Sequence, residues 1–131
     1  MHTGSCLSGA VKYEIRGDFQ TAVYCHCSRC RKAGGSAFAS NGVAATKDFV
    51  VVKGKESLKT FSMPTGVHRE FCSNCGSPII SRRDSMPDVL RVRLGTLDTP
   101  LARGPEAHIF VGSKAEWFEI LDDLPQHAER T

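Results

Sequence analysis

The sequence has no apolar stretch approaching the roughly 20 residues that cross a bilayer as a helix, which excludes a membrane-spanning helix. Its start, Met1-His2-Thr3-Gly4-Ser5-Cys6, has no charged segment leading into an apolar one, so export is not expected and a cytoplasmic setting is. There is no internal repeat, no low-complexity tract and no linker-like shift in composition, which argues against arrays and disordered chains. Charge of one sign is also scarce. Seventeen Lys and Arg against 14 Asp and Glu leave a formal charge of +3, spread along the chain. The densest basic points are Arg29-Arg31-Lys32 and Arg82-Arg83, the latter followed at once by Asp84. Solvated surface charge is the simpler reading of both, and without a basic-aromatic stripe a zinc-ribbon nucleic-acid binder is not expected.

What is present fits one globular domain: 131 residues, 40% hydrophobic and 24% charged, within the usual range for a single core. Residues 1–125 are read as that domain and the polar end, 126–131, as a flexible tail. Short strands dominate. Val11, Tyr13 and Ile15 alternate with Lys12 and Glu14, and Leu90, Val92 and Leu94 with Arg91 and Arg93, giving the period-two pattern of half-buried strands. Phe49 to Val52 is a β-branched run closed by the turn signal Lys53-Gly54. Further strands are expected at 22–24, 37–42, 58–61, 67–71, 79–80 and 108–111. Helix is limited to a turn from Cys27 through Ala33 and another opened by Ser113-Lys114-Ala115-Glu116, at capping-box spacing. Gly104-Pro105 and Ser85-Met86-Pro87-Asp88 read as loops. The expected fold is all-β.

The six cysteines fall into three clusters: Cys25-His26-Cys27-Ser28-Arg29-Cys30, Cys72-Ser73-Asn74-Cys75-Gly76 and a lone Cys6. In a reducing compartment such spacings point to metal rather than disulfides. Cys72 and Cys75 have the form of a zinc knuckle, with Gly76 allowing the turn around the ion. A knuckle supplies two ligands, and Cys6 is the obvious third. Cys25, Cys27 and Cys30 are different in kind, since they can converge as three ligands from one loop and leave a coordination position open, which separates catalytic from structural zinc. A thiolate-rich sphere favours another soft ligand, such as a substrate sulfur. Three thiolates outweigh the ion's charge and weaken its Lewis acidity, so thiol activation is expected rather than water activation.

Together these motifs resemble the glutathione-dependent formaldehyde-activating enzyme family. The resemblance is carried by Gly4-Ser5-Cys6-Leu7-Ser8-Gly9-Ala10-Val11-Lys12-Tyr13, by Cys25-His26-Cys27-Ser28-Arg29-Cys30-Arg31-Lys32 and by Phe71-Cys72-Ser73-Asn74-Cys75-Gly76. It continues through Gly95-Thr96-Leu97-Asp98, His108-Ile109-Phe110-Val111, Ser113-Lys114-Ala115 and Trp117. It implies a β-tent of packed antiparallel sheets, one or two zinc ions, and a carbon-sulfur lyase acting on S-hydroxymethylglutathione or a related thiol-aldehyde adduct. By position, Cys25, Cys27 and Cys30 would hold the catalytic zinc, and Cys6, Cys72 and Cys75 the structural one. The implied partner is a small thiol such as glutathione, whose sulfur would take the open position as thiolate and attack formaldehyde, with no membrane involved.

One position departs from the family pattern. The family usually shows Cys-x-Cys near the N-terminus, and the second of these places is Ser8, whose hydroxyl is far harder to deprotonate than a thiol. The structural site is then one thiolate short. Water, the Ser8 oxygen, or a thiolate borrowed from Cys25 or Cys27 would each close it, and the last would leave one zinc. His26 is read as solvent-facing against a lesser case for direct function, and His108, in an expected strand, as packed or pocket-lining. Trp117 and Phe118 are read as core or pocket wall. Arg29 is placed to attract a carboxylate. A non-catalytic zinc scaffold or interaction module is the rival reading.

Overall fold

Val11, Tyr13 and Ile15 are each at most 1% exposed, and their alternation with polar neighbours builds the first layer. Strands β1 (His2–Ser5), β2 (Lys12–Ile15) and β5 (Phe49–Lys53) form an antiparallel sheet in the order β1-β2-β5. The second sheet has seven strands: β3 (Thr21–Cys25), β4 (Ala39–Ala45), β6 (Leu58–Ser62), β7 (Val67–Cys72), β8 (Pro78–Arg83), β9 (Met86–Arg93) and β10 (His108–Ile109). Their order is β10-β3-β4-β9-β8-β7-β6, antiparallel except for the short β10 against β3. The structure is a computed structural model and describes residues 1–130. One α-helix occurs among the described residues, α1 (Ser28–Gly34). The expected β-tent of packed sheets with cysteine-bearing loops is what the chain forms.

The main core lies between the sheets. Tyr13 and Ile15 of the small sheet, with Val11 just before β2, meet Ala44, Ile80, Leu90 and Val92 of the large one, with Cys6, Cys72 and Ile79 in the same cluster. Each fully buried aliphatic side chain of this size is worth ~1.5–3 kcal/mol. The Tyr13 hydroxyl is satisfied by the Thr96 hydroxyl at 2.7 Å, and burial pushes its pKa up to about 12. A smaller cluster of Cys25, Cys30, Ala39 and Ile109 lies where β10 joins β3.

The expected strands are present, with shifted ends, and three local readings change. Met86 to Asp88, expected in a loop, begin β9, so the β8-β9 turn is only Asp84-Ser85. No helix opens at Ser113. A single 3-10 turn spans Val111–Ser113 and the backbone becomes extended at Lys114, whose ammonium bonds the Ala115 and Phe118 carbonyls. Satisfying those carbonyls from a side chain replaces the amides that a helix would have used. Residues 126–130, read as a tail, run beside β10: Gln126 bridges His108, the His127 amide donates to the His108 carbonyl at 2.9 Å, and the Phe110 amide to Glu129 at 2.9 Å.

Turn glycines fasten the sheets together. Gly54 follows β5 in the left-handed region at φ 78°, and a Cβ there would overlap the Ala10 carbonyl oxygen. Gly9 has a similar φ of 77° but nothing within 4 Å of the same position. Gly9→Ala should therefore cost only the backbone strain, ~1 kcal/mol, whereas Gly54→Ala adds overpacking of ~1–3 kcal/mol. Urea denaturation of the two variants should order them this way, and equal midpoints would contradict the packing described.

Candidate metal centres and an arginine-lined cavity

Cys25 ends β3, held between Ala39 of β4 and Ile109 of β10. The chain then leaves the sheet and turns into α1. Cys27 is the helix N-cap, with extended backbone (φ −64°, ψ 151°) and a sulfur that accepts the Cys30 amide at 3.4 Å. A thiolate thus fills the place usually taken by a serine or aspartate oxygen. Cys30 follows within the first turn and points inward, so all three sulfurs converge within 4.8 Å, Cys25 and Cys27 being 3.4 Å apart. Gly35, left-handed at φ 64°, closes the helix.

The second convergence joins the two sheets. Cys6 follows β1, Cys72 ends β7, and Cys75 lies in the turn that the Gly76 amide closes onto the Cys72 carbonyl at 2.7 Å. These three sulfurs also lie within 4.8 Å of one another. The Cys6 sulfur accepts the Val11 amide at 3.2 Å. Ser8 completes the group, its oxygen 3.5 Å from the Cys6 sulfur and 3.3 Å from the Asn74 amide nitrogen.

Both triads fit a thiophilic ion. Zinc-sulfur bonds of ~2.3 Å in a tetrahedron set sulfurs ~3.8 Å apart, and no cysteine is tied up in a disulfide. Each triad can hold one ion. They are separate groups, so the arrangement in which Cys25 or Cys27 is lent to the other site is not the one formed. The Ser8 hydroxyl stands beside this triad, 3.5 Å from the Cys6 sulfur.

The thiols are electrostatically prepared. Hydrogen bonds from Cys25 and then Cys30 bring the Cys27 pKa down to about 2, while the same contacts with Cys27 and Cys30 drive that of Cys25 upward. One thiolate, at the helix N-cap, is thereby shared by its neighbours. In the other group, the Ser77 hydroxyl lowers Cys75 to about 5. Burial raises Cys6, but hydrogen bonds from Ser8, the Val11 amide and Cys72 outweigh it and leave a net lowering.

All three cysteines of the first triad line a cavity of about 220 Å³. Its wall was not legible as a site. Arg29 of α1, Arg69 of β7, Arg83 of β8, Arg91 of β9 and Arg130 also line it. Arg69 pairs with Ser81, and Ser81 with Arg91, across three adjacent strands. The alternation Arg91-Val92-Arg93 was the available signal, read as polar residues facing water. Arg93 is instead buried and donates to the Asn41 oxygen at 2.7 Å and the Ser81 hydroxyl at 3.4 Å. Burial pulls its pKa down, opposed by Cys30 and reinforced by Arg69.

The histidines form a buried chain behind the cysteines. His26 is fully buried rather than solvent-facing, with Nε2 2.8 Å from His108 Nδ1, and His108 Nε2 is 3.0 Å from Asp122. Tyr24 stacks on His108, and Phe38 and Phe118 pack against His26. Burial first, and His108 second, lower His26 to about 4, so it is neutral at physiological pH. Neither histidine lines the cavity. Their chain braces the Cys25-His26-Cys27 backbone. Phe118 packs as expected, whereas Trp117 is 72% exposed and is not a wall residue.

Comparison with known proteins gives the same picture. The sequence profile described as glutathione-dependent formaldehyde-activating enzyme matches residues 1–113. A crystal structure of a Rhodobacter sphaeroides protein is similar at 32% identity, with a TM-score of 0.65, over 77% of this chain and 92% of that one. With a match over most of its length, and with its cysteines gathered as the sequence motifs require, the chain belongs to the glutathione-dependent formaldehyde-activating enzyme family.

Proposed function

We propose that the protein is a zinc-dependent carbon-sulfur lyase acting on S-hydroxymethylglutathione or a related thiol-aldehyde adduct. The observation that carries this reading is that Cys25, Cys27 and Cys30 all line the cavity, whereas Cys6, Cys72 and Cys75 do not. The first set is accessible to a small molecule and offers three ligands. The second is built into the core between the sheets, which suits a structural role.

Zinc held by Cys25, Cys27 and Cys30 would supply an open coordination position whose ligation favours the thiolate form of a substrate thiol near neutral pH. The chain's own residues do the rest. The guanidinium groups of Arg29, Arg83 and Arg91 attract the carboxylates of the thiol and fix its orientation. Ile109 and Phe110 give the cavity an apolar side that limits water around the reacting sulfur. In the lyase direction the carbon-sulfur bond of the adduct breaks, its electron pair stays on sulfur, and the hydroxyl proton passes to solvent as the carbonyl of formaldehyde forms. In the reverse direction the thiolate attacks formaldehyde and the alkoxide takes a proton back. Holding the two small reactants together accounts for much of the expected rate gain.

The division of labour has separable consequences. Purified protein is expected to carry two zinc ions per chain, counted by elemental analysis. The ion at Cys6, Cys72 and Cys75 should yield to a chelator more readily than one held by four thiolates, because Ser8 is a weaker ligand than a thiolate, and Ser8→Cys should slow that loss. Zinc retained equally in both proteins would remove Ser8 from the ligand shell.

Cys30→Ser should reduce acceleration of formaldehyde-glutathione exchange to the spontaneous rate. Cys72→Ser should instead lower the melting temperature, by about 3–5 °C per kcal/mol lost at this chain length, since structural zinc contributes folding free energy directly. An active Cys30→Ser variant, or a Cys72→Ser variant of unchanged stability, would sink this assignment.

A further inference from the structure

The cavity above Cys25, Cys27 and Cys30 has a charge balance that the proposed chemistry does not require. Arg29, Arg69, Arg83, Arg91 and Arg130 reach it from α1, from three neighbouring strands and from the segment beside β10, and no aspartate or glutamate lines it. None of the five belongs to an ion pair among the described residues. Asp84, next to Arg83, is held by His68 at 2.8 Å, and Glu70, next to Arg69, by Arg82 at 2.9 Å.

Two cations, Arg69 in the cavity wall and Arg93 outside its lining, are costly as they stand. Arg69 has a buried Nη1 with no hydrogen-bond partner. Arg93, 9% exposed, sits behind the cavity wall and donates only to the neutral Asn41 and Ser81, both of which line the cavity. A buried cation without an anionic partner costs several kcal/mol, and so does a buried donor left unmade, at ~1–3 kcal/mol. Three thiolates around a divalent ion sum to a single negative charge, which leaves most of this positive charge without a counterpart. The deficit is met only when an anion enters.

Glutathione meets it incompletely. It carries two carboxylates, which suit the arginines, but also an ammonium group, for which the cavity lining holds no carboxylate. That group would be placed among guanidinium groups of like charge. We infer that the cavity selects a small thiol carrying about two negative charges, on carboxylates or on a phosphate, and no cationic group, in preference to glutathione. The inference rests on the reading of this site as one that handles a thiol, and it specifies which kind. Phe110 lines the same cavity, with the Arg130 guanidinium 5.5 Å from its ring centre, so one arginine is held there by cation-π contact rather than by an acid.

Calorimetric titration of the zinc-loaded full chain tests this without relying on turnover. The probes are mercaptosuccinate, 4′-phosphopantetheine, glutathione, 2-mercaptoethanol and, as an anion lacking a thiol, succinate. At least one of the two anionic thiols should bind about tenfold or more tightly than glutathione, the equivalent of one charge-assisted contact. Which of the two wins identifies carboxylate or phosphate as the recognised group. Arg83→Gln and Arg91→Gln should each weaken that binding by about tenfold, with Arg83→Lys restoring part of it, and added salt should weaken it as well. Glutathione binding as tightly as both anionic thiols, or Gln variants that bind like the parent, would overturn the inference. Succinate binding as tightly as mercaptosuccinate would instead leave the anion preference standing and remove the thiol reading beneath it.

Discussion

Strand register in the seven-stranded sheet is the constraint on which the site depends. A slip of one residue would turn every side chain of a strand to the opposite face. With the observed pairing, Ala39 faces Cys25, Asn41 faces Arg93, and Ser81 stands between Arg69 and Arg91. The same pairing sends Leu90, Val92 and Ile80 into the core against the small sheet. One face of β9 therefore anchors the fold while the other supplies guanidinium groups to the cavity. Hydrophobic burial on the first face specifies the register, and the polar site inherits it.

The two cysteine groups exploit the ends of strands in different ways. Cys25 and Cys72 close β3 and β7, where the ladder fixes the backbone and the following turn is free to fold back with further sulfurs. In one case the turn becomes α1, whose capping interaction stabilises a thiolate at Cys27. In the other it stays a tight glycine turn, and the third sulfur comes from Cys6 across the sheet boundary. That group ties the two layers together at the edge of the main core, with Ser8 beside it. The first group has its sulfurs turned toward an open cavity and its backbone braced from behind by His26, His108 and Asp122.

Much of this architecture was legible in the residues. The alternation around Tyr13, the β-branched run at Phe49 to Val52 and the cysteine spacings led to the strands and the composition of both triads, and of the two expected helical turns the one after Cys27 formed. Ser8 stood out as a break in the motif, but its geometry did not, because only folding shows that the two triads lie apart and cannot share a thiolate. The histidines were underread. A lone His between two cysteines carries no sign of a partner 82 positions away. The segment after residue 125 looked like a tail because its residues are polar, yet its backbone amides and carbonyls pair with those around β10.

By itself, the sequence determined the fold class and marked the cysteines that could hold a metal, since strand periodicity and cysteine spacing are local properties written in consecutive residues. Tertiary structure alone decided where the arginines go. They are scattered along the chain and look like ordinary surface charge, and only antiparallel pairing of β7, β8 and β9, with α1 and the segment beside β10, brings them together around Cys25, Cys27 and Cys30. Charge density in a cavity depends on distances in space, and those follow from the register that the buried face of the sheet imposes.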